Sequence, residues 1–64
     1  METPSIHERL FNYYKKKQSI EMQKEIKSYT AIDMEHTRVA IKVTFKDNNW
    51  LRVYQKTNGI VEWY

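Results

Sequence analysis

The residues with acid–base or metal-binding potential lie in two short clusters, His7-Glu8 and Asp33-x-Glu35-His36. A zinc site needs three or four ligands at suitable spacing, and neither cluster supplies that number. The chain contains no Cys and a single Gly, so thiolate ligands, disulfides and a glycine-rich phosphate loop are excluded. We therefore predict that the protein is not an enzyme, has no metal or cofactor and takes no small-molecule substrate. A catalytic role would need a partner chain to complete a site around His36.

Basic side chains next to tyrosines form a second pattern with chemical potential. Lys15-Lys16-Lys17 follows Tyr13-Tyr14, and such a segment offers ammonium groups for phosphates and rings for bases. Lysines at the end of a helix also complement its dipole, and the chain has 8 Lys against 3 Arg, a balance that favours general solubility over bidentate recognition. Nucleic-acid binding is therefore the alternative function. Its predicted residues are Lys15, Lys16, Lys17, Lys42, Lys46, Arg52 and Lys56.

The size and composition indicate one small domain, residues 1–64, with a mixed rather than a strongly cationic surface. The 11 basic and 8 acidic residues give a net charge of +3. No apolar run approaches the roughly 20 residues of a membrane span, and the opening METPSIHERL has no apolar signal region. We expect a cytoplasmic protein with no membrane contact.

The hydrophobic periodicity predicts a helix followed by strands. Thr3 or Ser5 can cap a helix over about residues 4–18, with Pro4 in the first turn and Glu8 at capping-box spacing. Alternation predicts strands at about 25–34, 38–46, 50–57 and 60–64. Residues 19–25 fit either a helix or a strand. The predicted fold is α+β, with one N-terminal helix packed on a four-stranded antiparallel β-meander.

Two-residue turns would set the register of this meander. Asn58-Gly59 is a strong signal for a type I′ turn, and Asp47-Asn48 and His36-Thr37 are weaker candidates. With these three turns, apolar side chains from all four strands lie on the same face of the sheet. That face is predicted to contain Ile32, Met34, Val39, Ile41, Val43, Phe45, Trp50, Tyr54, Val61 and Trp63. Arg52 is predicted at an open corner of the same face, where it either pairs with Glu8 or contacts an anion.

The opposite face of the predicted sheet retains apolar groups that a single helix cannot cover. An ordinary half-polar surface is one interpretation, and a contact site for a protein partner or a second copy is the other. We predict a non-enzymatic protein-binding module, a small regulatory or inhibitory accessory protein that forms homodimers, of the kind that phages and mobile elements encode. The predicted protein-binding residues are Tyr29, Lys42, Leu51, Val53, Ile60 and Tyr64.

Overall fold

The computed structural model describes residues 5–64, which form two helices followed by four strands. The helices are α1 (Ile6–Lys16) and α2 (Ile20–Glu25). The strands are β1 (Ile26–Ile32), β2 (Thr37–Phe45), β3 (Trp50–Lys56) and β4 (Val61–Trp63). They pair antiparallel in the order β1-β2-β3-β4, so the predicted α+β meander is confirmed.

Serine side chains cap both helices. Ser5 Oγ accepts a hydrogen bond from the Glu8 backbone N–H at 3.1 Å, and Ser19 Oγ accepts one from Met22 at 3.1 Å. Each bond satisfies a backbone donor that the first helical turn leaves free. The second cap places the ambiguous segment in a helix as far as Glu25, and β1 begins at the next residue. Thr3 and Pro4 lie outside the described residues.

The core lies between α1 and the face of the sheet that α1 covers. Leu10 and Tyr14 of α1 are buried against this face. The predicted inward face of β2 is correct, because its four alternating apolar side chains are all at most 7% exposed. The buried cluster consists of Leu10, Tyr14, Val39, Ile41, Val43, Phe45 and Val53.

The predicted register is wrong by one residue in every hairpin, because each loop has an odd number of residues. The pairs Thr44 with Trp50 and Gln55 with Val61 are symmetric about a single residue rather than about a two-residue turn. In the last loop the Gly59 N–H donates to the Lys56 carbonyl at 2.9 Å, and only Gly59, at φ 93°, has a positive φ. A type I′ turn would require a positive φ at both central residues. The loop is instead a type I turn closed by one left-handed residue.

The β2–β3 hairpin is built in the same way, and the β1–β2 hairpin also contains one left-handed residue. In the β2–β3 loop the Asn48 N–H donates to the Phe45 carbonyl at 2.9 Å, and Asn48 has a φ of 71°. His36, at φ 61°, lies in the β1–β2 loop, where Ile32 pairs with Ala40. Asn and His are among the non-glycine residues that tolerate this left-handed region.

A shift of one residue exchanges the two faces of a strand. The first shift turns β1 over, so that Tyr29 lies opposite Val43 on the helix side and Ile32 lies on the outer side. The second shift turns β3 over, so that Leu51 and Val53 lie on the helix side. The third shift reverses the second, so β4 keeps its predicted orientation with Trp63 on the helix side.

Several predicted positions are therefore corrected. Val53 is fully buried, and Tyr29 and Leu51 pack against the core, so none of the three lies on the outer face. The opposite correction applies to the three β3 residues that alternate with Leu51 and Val53, which are predicted on the core side. Trp50, Arg52 and Tyr54 lie on the outer face.

Candidate functional site

The outer face of the sheet presents a cross-strand row of charged and aromatic side chains. Lys42 of β2 pairs with Arg52 of β3. Arg52 in turn exchanges two backbone hydrogen bonds with Tyr64, of 3.0 and 3.1 Å. Trp50 precedes Arg52 by two residues and therefore projects from the same face. We call Lys42, Trp50, Arg52 and Tyr64 the outer-face ladder.

Cations and rings alternate along the outer-face ladder. Lys42 Nζ lies 5.0 Å from the centroid of the Trp50 ring. Arg52 Cζ lies 4.8 Å from the Trp50 centroid and 5.3 Å from the Tyr64 centroid. All three distances are within the range of cation–π attraction. The guanidinium therefore lies between two rings.

The two rings of the ladder remain largely accessible. Trp50 is 48% exposed and Tyr64 is 65% exposed. Residues of the same face at the centre of the sheet are better covered, since Ala40, which pairs with Ile32 and Tyr54, is only 2% exposed. On the outer face, the exposed aromatic rings are therefore those of the ladder.

A hydrogen-bonded group adjoins the ladder on β3 and β4. The Tyr54 hydroxyl donates to Glu62 Oε1 at 3.1 Å, and Lys56 Nζ lies 3.1 Å from the same oxygen. The Lys56 ammonium, followed by the Tyr54 hydroxyl, lowers the pKa of Glu62. Desolvation, followed by the Glu62 carboxylate, raises the pKa of Tyr54. Tyr54 also meets Tyr64 edge to face, with centroids 5.9 Å apart.

Positive charge predominates at the strand-paired positions of the outer face. Lys42, Arg52 and Lys56 are its cations, whereas Glu62 is its one acid. Because Glu62 is engaged with Lys56, the ladder's two cations face no acid across the paired strands. The surface is therefore suited to an anionic ligand with flat, stackable groups.

The predicted basic residues separate into two groups. Lys42, Arg52 and Lys56 come together on the outer face, and Lys46 lies in the adjoining β2–β3 loop. Lys15 and Lys16 end α1, on the other side of the sheet, and Lys17 follows as its C-cap with Nζ 5.4 Å from the Tyr13 centroid. The seven residues therefore do not form one surface.

The predicted protein-binding residues are separated in the same way. Lys42 and Tyr64 belong to the outer-face ladder, and the exposed Ile60 begins the return of the chain after the last loop. Tyr29, Leu51 and Val53 lie on the helix side, and the Tyr29 ring stacks on Phe11 with centroids 4.3 Å apart. An outer-face contact can therefore use only half of the predicted set.

Trp50, Tyr54 and Glu62 were not predicted as site residues. The sequence of β3 nevertheless contains a signal that shows which of its side chains face solvent. Arg52 occupies the same alternating phase as Trp50 and Tyr54, whereas Leu51 and Val53 share the other phase. A charged residue in the middle of a strand marks the solvated face more reliably than ring size does, because burial of an unpaired charge is costly.

Two further properties restrict the chemistry of the described part of the chain. No group of three or more His, Cys, Asp or Glu in residues 5–64 is placed to hold a metal ion. Neither described helix is long and apolar enough to cross a membrane.

No protein-family model matches this sequence, and comparisons with curated proteins and solved structures find no significant match.

Proposed function

We propose that this protein binds single-stranded nucleic acid through the outer face of its sheet. The observation that carries the proposal is the outer-face ladder, in which Arg52 lies between the accessible rings of Trp50 and Tyr64. Proteins that bind single strands combine cations along the backbone path with aromatic side chains on which bases stack. The ladder brings both kinds of group onto one open surface.

The outer-face residues contribute to nucleic-acid binding in two different ways. Lys42 and Arg52 offer donors and positive charge to successive phosphates, whereas Lys56 is paired with Glu62. Trp50 and Tyr64 offer ring surface to bases, and each base stacked on an aromatic side chain contributes about 1–3 kcal/mol of binding free energy. Arg52 can serve both purposes, since its planar guanidinium stacks on bases as well as pairing with phosphate.

The geometry favours a single strand over a duplex. The rings lie on an open sheet face, and stacking on them requires bases that are not already stacked in a double helix. Recognition of a B-form major groove commonly uses an inserted helix or a two-stranded ribbon. Here α1 packs on the opposite side of the sheet, and the described part of the chain is a flat body of 31 × 30 × 18 Å.

The test is fluorescence anisotropy of labelled 12-nucleotide single strands, DNA and RNA, with a duplex of the same length for comparison. The single strands should bind more tightly than the duplex. The logarithm of the affinity should fall with the logarithm of salt concentration at a slope of about −1.4, because the two cations without an acidic partner, Lys42 and Arg52, release counterions at roughly 0.7 each. Trp50→Ala should weaken binding by about tenfold or more, since it removes one stacking surface.

Matched variants on the helix side serve as controls. Tyr13→Ala removes an exposed ring and Lys16→Ala removes an exposed charge from α1, and neither should change the affinity by more than about twofold. Lys42→Ala, with the same charge change as Lys16→Ala, should weaken binding and reduce the salt slope by roughly 0.7. Equal effects of the two lysine variants, or no binding at low salt, would contradict the proposal.

A contact with another protein through the same face is the second candidate. It is supported by the exposed apolar surface of Trp50, Ile60 and Tyr64. A symmetric homodimer would bring Lys42 and Arg52 of two copies close together, and opposed like charges are destabilising. The partner in this case is therefore an acidic protein surface. Light scattering tests self-association directly. A stable dimer that Trp50→Ala dissociates would favour a protein contact over nucleic acid, with a second copy as the partner instead of an acidic protein.

A further inference from the structure

The carboxylate of Glu62 occupies an unexpected position for a surface that binds phosphates. It is the one acid at the strand-paired positions of the outer face, two residues from the exposed ring of Tyr64. A carboxylate repels phosphate, so its presence beside Lys56 works against backbone binding. The carboxylate is suited to a different part of a nucleotide, namely the hydrogen-bond donors of a base.

One oxygen of this carboxylate is already used and the other is available. The Tyr54 hydroxyl and Lys56 Nζ both contact Oε1, each at 3.1 Å. Within residues 5–64, Oε2 has no recorded hydrogen-bond partner. Two contacts to Oε1 hold the side chain in place, and they leave Oε2 as an acceptor with a defined position. The lowered pKa of Glu62 keeps this acceptor ionised at neutral pH.

A depression at the β4 edge of the sheet, which Glu62 helps to line, has a size suited to a base. This shallow depression of about 400 Å³ is lined by Tyr54, Val61, Glu62, Trp63 and Tyr64. This volume lies within the range of small-ligand pockets. Residues i and i+2 of a strand are about 7 Å apart on one face, so a base that stacks on Tyr64 can turn an edge toward Glu62.

We infer that this depression takes one unstacked base that presents an amino group to Glu62 Oε2, and that it discriminates against thymine and uracil. The inference rests on the proposed function. Cytosine N4 and adenine N6 carry amino donors, and acceptance from cytosine N4 is an established role of Glu and Asp side chains. Thymine and uracil carry a carbonyl oxygen at the corresponding position, so their one donor on that edge, N3–H, is flanked by two carbonyl oxygens that a carboxylate repels.

Oligonucleotides of one base test the inference with two variants. Wild-type protein should bind 12-mers of dC and dA about tenfold more tightly than a 12-mer of dT, the scale of one hydrogen bond to a charged group. Glu62→Gln should abolish this preference while the affinity for dT stays the same or rises, because a negative charge is lost. Lys42→Gln is the control, because Lys42 lies beside Trp50 and Arg52 rather than beside Glu62. It should weaken binding to all three oligonucleotides equally and leave the base preference intact.

The possible failures are distinguishable. Wild-type protein that binds dT as tightly as dC and dA, with the expected salt dependence, would overturn the base preference and leave single-strand binding in place. A base preference that survives Glu62→Gln would assign it to other residues and would also overturn the inference. Absence of binding to any of the three oligonucleotides would overturn the proposed function itself.

Discussion

Arg52 connects most of the contacts that define the outer face. It pairs with Lys42 on one side, exchanges backbone hydrogen bonds with Tyr64 on the other, and lies over the Trp50 ring. A guanidinium is more weakly hydrated than an ammonium and stacks on aromatic faces, so Arg suits this position better than Lys does. The side chain is held by its neighbours, and less conformational freedom is lost when a ligand binds.

At the same scale, Glu62 should make stability depend on acid pH. Its pKa is lowered, first by Lys56 and then by Tyr54, so the folded state favours the ionised carboxylate. A group with a depressed pKa contributes stability above its unfolded-state pKa, and this contribution is lost as the pH falls through the folded-state value. Wild type should therefore melt slightly higher than Glu62→Gln at about pH 7, by the small amount expected of an exposed ion pair.

Thermal melts monitored by circular dichroism at about pH 7 and about pH 2.5 measure this effect. The difference in melting temperature between wild type and Glu62→Gln should narrow at the lower pH, where the carboxylate is protonated. Lys56→Gln should show the same narrowing, since it removes the first of the two partners. A difference that is equal at both pH values would mean that the contacts of Glu62 contribute nothing through its charge.

At the scale of the elements, the loops decide which side chains face solvent. The β3–β4 loop depends on Gly59, whose φ of 93° is unfavourable for any residue with a Cβ. An added Cβ would meet no atom within 4 Å, so its cost would come from the backbone alone. Gly59→Ala should therefore lower the free energy of unfolding by about 1 kcal/mol, the usual scale for Ala at a positive φ.

Urea unfolding of Gly59→Ala, with Thr57→Ala as its control, measures this cost. Thr57 is exposed in the same loop and is not among the residues with a positive φ. The control should change stability by less than about 0.5 kcal/mol, as an ordinary surface substitution does. Equal effects of the two substitutions would contradict the account of this loop.

The same loops explain how much of the fold and of the candidate site could be predicted from the sequence. The inward face of β2 could be predicted because Val39, Ile41, Val43 and Phe45 alternate without exception. The faces of β1 and β3 depended on loop length, and Asn48 and Gly59 fit a two-residue or a three-residue loop equally well by type. The distinction depends on whether the preceding residue also has a positive φ, which residue identity alone does not determine.

The predicted positions of the site residues depended on loop length in the same way. Lys42 and Tyr64 were assigned to the outer face correctly, since β2 has a clear pattern and two successive shifts cancel at β4. The two-residue turn predicted at Asp47-Asn48 placed Trp50 and Tyr54 on the core face, and a single shift at β3 reversed both. Arg52 moved with them and changed from a corner residue to the centre of the ladder.

At the scale of the whole molecule, the two faces of one sheet have different environments. The helix side is closed by α1, with the Tyr14 ring meeting Trp63 edge to face at 5.1 Å. The outer side is covered by no helix in residues 5–64 and carries three paired-position cations and two accessible ladder rings. The two tryptophans therefore report separately on the two faces, Trp63 on the helix side and Trp50 on the outer side.

The most direct test of single-strand binding at the outer face uses this separation. A 12-nucleotide DNA single strand is titrated into ¹⁵N-labelled protein while the backbone and indole N–H signals are followed by NMR. The Trp50 indole signal and the backbone signals of Lys42, Arg52 and Tyr64 should shift together and saturate, whereas the signals of Tyr13 and Lys15–Lys17 should stay in place. Shifts confined to Lys15–Lys17 and Tyr13, with Trp50 unchanged, would place binding on the helix and contradict the account.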